Sequence, residues 1–215
     1  MNTKTIHPDY EKYAEEHTSG ETSYLSDLYR ETHLKTIYPR MISGHLQGQF
    51  LKMVSCMMRP RRILEIGTFT GYSTINLAQG LAEGGLMHTI DSNAESVEIG
   101  KKYFEKAGIK NKIRIHIGNA LEMISKLDET FDLVFIDADK ENYLNYYKRI
   151  FDQVGSGGFI LADNAFWSGK VFNETKSKDK EVLGIIEFND FVQNDNRVEN
   201  MLLPLRDGIM MVRKL

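Results

Sequence analysis

The sequence predicts an open α/β sheet, mostly parallel and closed by an antiparallel pair, with helices on both faces. Three observations predict it. From residue 62 onward, short apolar runs alternate with amphipathic stretches, the pattern of successive strand-helix-strand units in a parallel sheet. Two of those runs end in carboxylates, 131–136 at Asp137 and 158–162 at Asp163 followed by Asn164. The last two apolar runs flank Arg206-Asp207-Gly208, and Asp-Gly is a hairpin turn signal.

The elements follow in order. Residues 1–60 read as helical, with Tyr24, Leu25, Leu28 and Tyr29 on one apolar face and Phe50, Leu51, Val54 and Met57 on another. Strands are expected at 62–66, 86–90, 113–117, 133–136 and 159–162, and helices between them at 72–81, 94–107, 121–127 and 141–151, with a further helix at 181–192. Each crossover should be right-handed. Segments 198–205 and 209–213 form the closing antiparallel pair, and 173–180 reads as an exposed loop. At 215 residues the chain makes one domain, 1–60 capping the site and 61–215 forming sheet and helices.

Composition excludes several classes. The formal net charge is -3 and the basic cluster Arg59, Arg61, Arg62 is short, so there is no electrostatic footprint for nucleic acid. Cys56 stands alone, which forbids an internal disulfide and reads as a buried apolar thiol in a reducing cytoplasm. The polar, acidic stretch 1–16 lacks the apolar centre of a signal peptide, and no run reaches membrane-spanning length. A cytoplasmic protein with no membrane partner is the expectation.

Two constellations carry chemistry. The first strand runs into Gly67-Thr68-Phe69-Thr70-Gly71, a strand-to-helix turn in which glycine permits close backbone approach. Dinucleotide sites place a glycine where Phe69 stands, so that a pyrophosphate can approach. A bulky residue there favours an adenosine ligand without pyrophosphate, of which S-adenosylmethionine is the common one. Asp91 ends the second strand, placed to accept hydrogen bonds from ribose hydroxyls. Alone, such an aspartate is more often a helix cap, a role Ser92 or Asn93 fills equally well; the glycine turn and the acid together favour nucleotide binding.

The second constellation is the pair of acid-tipped strands. If they are neighbours, Asp137, Asp163 and Asn164 emerge together at the carboxyl edge of the sheet, where open α/β sheets bind ligands. Two buried carboxylates repel unless one takes up a proton or a cation joins them. Oxygen donors favour Mg²⁺, with Ca²⁺ or Mn²⁺ as substitutes. His33, His45 and His88 share no spacing that points to a transition metal.

With these residues in view, the chain resembles the cation-dependent O-methyltransferases, the family of catechol and caffeoyl-CoA O-methyltransferases. The likeness runs from about Tyr10 to the C-terminus and rests on 64–73, 131–143, Asp163-Asn164 with Trp167 and Gly169, 41–51 and 203–208. It departs at Asn119, where many relatives carry Asp, and at 43–46, where proline and an acid are usual. The resemblance implies a Rossmann-like class I methyltransferase fold with a seven-stranded sheet. It implies S-adenosylmethionine contacts from Met41, Ser43, Glu65, Gly67, Ser73, Asp91, Ala120 and Asp137, and metal ligation by Asp137, Asp163 and Asn164. It also implies Lys140 beside the reacting hydroxyl, an aromatic diol as substrate, and a homodimer.

The residues are consistent with that chemistry. A phenol with a pKa near ~10 is scarcely ionised at neutral pH, and a cation holding both vicinal hydroxyls lowers it. Lys140 follows Asp137 by three residues and is expected to act as the general base. Asp139 reads as an N-cap for the helix from Lys140. Phe166 and Trp167 either wall the pocket or cover the core, and at least one of Tyr143, Tyr146 and Tyr147 belongs to the core. Two rivals are a nicotinamide-dependent oxidoreductase, which lacks a Tyr-x-x-x-Lys pair here, and a non-catalytic S-adenosylmethionine-binding protein.

Overall fold

In a computed structural model describing residues 8–172 and 178–215, seven strands form one sheet in the order β3-β2-β1-β4-β5-β7-β6. The strands are β1 (Arg62–Ile66), β2 (Leu86–Asp91), β3 (Ile113–Ile117), β4 (Phe131–Ile136), β5 (Val154–Ala162), β6 (Val198–Leu203) and β7 (Ile209–Lys214). The first five pair in parallel, and β7 lies antiparallel between β5 and β6. Chain order reverses between β1 and β4. That switch point is where the ends of two strands diverge and leave a crevice.

Alternation along the strands sorts apolar residues onto two faces. Ile63, Leu133 and Phe135 face a core closed by α2 (Ser23–Lys35), α3 (His45–Met58), α4 (Tyr72–Ala78) and α5 (Ala94–Lys106). Leu64, Ile66, Val134 and Ile136 face the opposite core, under α6 (Ala120–Ile124), α7 (Tyr143–Ile150) and α8 (Lys180–Gln193). Helix α1 (Pro8–Glu16) precedes them. None of the described helices is long and apolar enough to cross a membrane.

Several expected boundaries shift, each for a local reason. Strand β5 begins at Val154, ahead of the expected 159, because Phe131 pairs with Val154 across a register irregularity that Gly157, at φ +80°, accommodates. Helix α4 stops at Ala78, and a Cβ on the nearby Gly80 would lie 2.1 Å from the Ser55 carbonyl carbon. Helix α6 stops at Ile124, where Lys126 and Leu127 donate to carbonyls three residues back. The helix expected at 141–151 is a 3-10 turn, Lys140–Asn142, followed by α7 and a second 3-10 turn, Phe151–Gln153. Part of the loop expected at 173–180, namely 173–177, lies outside the described residues, as do 1–7 of the N-terminal segment.

Cys56 is a correction: it is exposed, not buried. Helix α3 turns Leu51, Val54 and Ser55 inward, and Ser55 Oγ donates to the Leu77 carbonyl at 2.6 Å. Position 56 therefore faces out, as do Met53 and Met57, the latter also expected on the apolar face. Tyr29 on α2 likewise lies outside, while Leu25 and Leu28 are buried.

Candidate active site

The loop after β1 is shaped by contact with the end of β4. Gly67 adopts φ +103°, and a Cβ there would lie 1.9 Å from the Asp137 carbonyl oxygen. Only glycine allows that approach. Asp137 N–H donates to the Ile66 carbonyl at 2.8 Å and Gly67 N–H to that of Ile90 at 2.9 Å, so the ends of three strands are tied together. Asp91 closes the loop from the other side, accepting from Phe69 N–H at 2.7 Å and Asn93 N–H at 2.8 Å. Capping of α5 falls to Asn93, which leaves Asp91 on the wall of the crevice.

That crevice is a cavity of about 950 Å³. Met41, Ser43, Gly67, Ser73, Asp91, Ala120, Asp137, Lys140, Asp163 and Asn164 all line it. Glu65 stands behind the wall, fully buried and accepting from Ser73 at 2.6 Å, Thr74 at 2.5 Å and Thr89 at 2.6 Å. Burial pushes its carboxyl up to about 7 against those three hydroxyls. Glu65 therefore reaches the cavity through Ser73. Among the described non-glycine residues with positive φ, Phe69, Asn164, Trp167, Ser168 and Arg206 line this cavity and Arg59 does not, the clustering of unusual backbone expected of a ligand site.

Asp137 and Asp163 leave the adjacent strands β4 and β5 side by side, Asp163 N–H donating to the Ile136 carbonyl at 2.9 Å. Burial, with the Asp137 carboxylate beside it, pushes Asp163 up to about 6. The Asn164 amide nitrogen donates to Asp207 Oδ2 at 3.3 Å, which leaves its oxygen as the acceptor end. No group of three or more His, Cys, Asp or Glu suited to a metal occurs among the described residues; the donor set is two carboxylates and an amide oxygen. Hard and oxygen-only, with burial and the neighbouring Asp137 disfavouring the charge on Asp163, this set would suit Mg²⁺-like ions. Lys140 is buried, its Nζ donating to Asp137 Oδ1 at 3.0 Å and to Tyr143 Oη at 2.6 Å.

An O-methyltransferase family model matches residues 15–215. The chain belongs to the O-methyltransferase family. It is 36% identical over 197 residues to caffeoyl-CoA O-methyltransferase 5 of Nicotiana tabacum, covering 86% of this chain and 82% of that one. An O-methyltransferase from Bacillus cereus, solved in complex with SAH, superposes with a TM-score of 0.87 at 30% identity, over 96% of this chain and 97% of that one. One from Streptomyces achromogenes involved in tomaymycin synthesis, solved with SAM, gives 0.89 at 26% identity, over 96% of each chain.

Other residues around the cavity resolve open readings. Trp167 lines the cavity, its ring centroid 5.6 Å from Lys140 Nζ and 5.5 Å from Lys170 Nζ. Phe166 instead packs beneath the hairpin turn, where a Cβ on Gly208 would come within 2.7 Å of its ring, and beside Phe172. Tyr143, Tyr146 and Tyr147 are all buried. Asp139 stands at the expected N-cap position, before the Lys140–Asn142 turn, but makes no side-chain cap bond to the backbone, accepting instead from Asn142 Nδ2 at 2.5 Å and from the Tyr146 hydroxyl. Asn119 uses its side chain to cap α6, accepting from Glu122 N–H at 3.2 Å.

Three residues escape sequence reasoning. Arg206 and Asp207 read as a turn within the hairpin segment 203–208, with no site role, yet both line the cavity, and Asp207 holds Asn164. Gln47 donates to Asp163 Oδ2 at 2.7 Å. Its signal is available in retrospect, because Gln47, Leu51 and Val54 share the buried face of α3, and a polar residue on an apolar stripe requires a partner.

Proposed function

We propose that this methyltransferase transfers the methyl group of S-adenosylmethionine to one hydroxyl of a vicinal aromatic diol, with a divalent cation held by Asp137, Asp163 and Asn164. One observation carries the reading: a single cavity brings the glycine loop with Asp91 against three oxygen donors and a buried lysine. The caffeoyl-CoA O-methyltransferase relative and the solved structures containing SAH or SAM support it.

In this reading the cation, when bound, acidifies the diol hydroxyls and orients them. S-adenosylmethionine supplies an electrophilic methyl on a sulfonium. Asp91 faces the ribose hydroxyls, and Met41, Ser43, Gly67, Ser73 and Ala120 line the rest of its place. Glu65 acts from behind by holding Ser73 Oγ. A neutral amine has two N–H donors and one lone pair. Lys140 Nζ is ion-paired to Asp137 and donates to Tyr143; after giving up one proton it would keep both of those donors and turn a lone pair to the proton of the attacking hydroxyl. Burial holds the Tyr143 hydroxyl well above its ordinary range, which keeps it a neutral partner. The remaining contribution is alignment of two bound substrates, worth up to about ~7–11 kcal/mol in the best intramolecular cases. Trp167 offers the diol ring a face. The reading extends to a cytoplasmic homodimer, for which the exposed Leu34, Ile37 and Tyr38 provide apolar surface.

Calorimetric titration separates this from nicotinamide-dependent oxidation. S-adenosylmethionine should bind with one-to-one stoichiometry and NAD or NADP should release no heat of binding. Saturable nicotinamide binding without S-adenosylmethionine binding would replace the proposal with the oxidoreductase reading.

A further inference from the structure

Gln47 is buried near the N-terminus of α3 and lies outside the cavity lining. Its Nε2 donates to Asp163 Oδ2 at 2.7 Å, and its Oε1 accepts from Arg206 Nη1 at 2.9 Å. An amide offers a donor end and an acceptor end, whereas a guanidinium only donates. Arg206 therefore selects the amide orientation, turning Oε1 to itself and Nε2 to Asp163. The other oxygen of Asp163, Oδ1, accepts from Asn164 N–H at 2.8 Å. Each carboxylate oxygen thus has one fixed donor and retains acceptor capacity.

The same turn serves the neighbouring donor. Asp207 accepts from Asn164 Nδ2 at 3.3 Å and from Ser168 N–H at 2.6 Å, and the Asp207 and Gly208 carbonyls accept from Phe166 and Ala165 N–H at 2.9 Å each. Arg206 itself adopts φ +49° in the turn. Residues from α3, the end of β5 and the β6–β7 hairpin therefore meet around two of the three oxygen donors.

We propose that Gln47, oriented by Arg206, is a positioning residue that aims the Asp163 carboxylate at the cation, so that the C-terminal hairpin sets cation affinity. This rests on Asp163 being a cation ligand, as proposed above. Partners one step removed from a metal typically change its affinity about 10–100-fold. Plain electrostatics makes the opposite prediction for one member of the relay. Removing the positive charge of Arg206 from the cavity wall would, by Coulomb's law alone, tighten cation binding; loss of the relay weakens it.

The test is calorimetric titration of Mg²⁺ and Mn²⁺ into the full chain saturated with S-adenosylmethionine, for wild type, Gln47→Met, Arg206→Met and the double variant. Both single variants should weaken cation binding by roughly tenfold or more, and the double variant should be no weaker than the worse single one, because the two side chains act in series. S-adenosylmethionine affinity should stay within about twofold of wild type in each. Arg206 is exposed, so Arg206→Met carries the test even if the buried Gln47→Met variant fails to fold. Unchanged or tighter cation binding in Arg206→Met, or additive losses in the double variant, would overturn the relay. Absence of cation binding to the wild type would instead overturn the reading of Asp163 as a ligand.

Discussion

Asp163→Ala is expected to eliminate cation-dependent methyl transfer, with kcat/KM falling roughly 10³-fold or more, since a bound cation is worth several kcal/mol of transition-state stabilisation and ~1.36 kcal/mol is tenfold in rate. S-adenosylmethionine affinity should change little. The division follows from position: Asp163 ends β5 beside Asp137, whereas the glycine loop and Asp91 lie at the ends of β1 and β2. Removing a buried carboxylate that burial and Asp137 already disfavour also relieves repulsion, so the variant should fold. Steady-state kinetics with calorimetry of S-adenosylmethionine checks this, and equal loss of turnover and cofactor affinity would contradict the assignment.

Lys140→Met should lower kcat about 10²–10⁴-fold, the range for loss of a positioned general base, with S-adenosylmethionine affinity again near wild type. Lys140→Arg distinguishes two roles. An arginine preserves a cation beside Asp137 but does not release a proton at ordinary pH. If proton removal at Nζ is the function, arginine fails as methionine does. Recovery of a tenth or more of wild-type turnover in Lys140→Arg would show that positive charge beside Asp137 suffices.

Much of the fold is legible because it depends on short-range patterns. Strands 62–66 and 113–117 match the observed β1 and β3, since apolar runs bounded by turn residues leave little choice. The adjacency of β4 and β5 follows from a single crossover between parallel strands, and it brings Asp137 to Asp163. The glycine requirement at 67 is likewise encoded locally, although its cause, the Asp137 carbonyl 1.9 Å from a built Cβ, is tertiary. Boundaries fail where tertiary contact overrides propensity: β5 extends back past Gly155, Gly157 and Gly158, which lie in a register irregularity, because Val154 pairs with Phe131 of β4.

The residues of the candidate site stand out in the sequence where they follow strands, and do not where they meet from a distance. Glu65 sits one residue from a strand end, but nothing local says that Ser73 stands between it and the cavity. Gln47 and Asp163 are 116 residues apart, and Arg206 lies 159 residues beyond Gln47. Such partnerships arise from packing of α3 and the hairpin over the strand ends, which periodicity does not encode. Asp139 errs in the opposite direction: a residue placed before a helix reads as its cap, yet Asn142 and Tyr146 claim its carboxylate.

The central claim, that oxygen donors at the ends of β4 and β5 hold a cation that makes the diol reactive, is tested most directly by turnover of a catechol panel with S-adenosylmethionine in EDTA, followed by addition of excess Mg²⁺. Methylated product, followed by mass spectrometry, should be absent in EDTA and return with Mg²⁺. Undiminished methylation in EDTA would contradict the account.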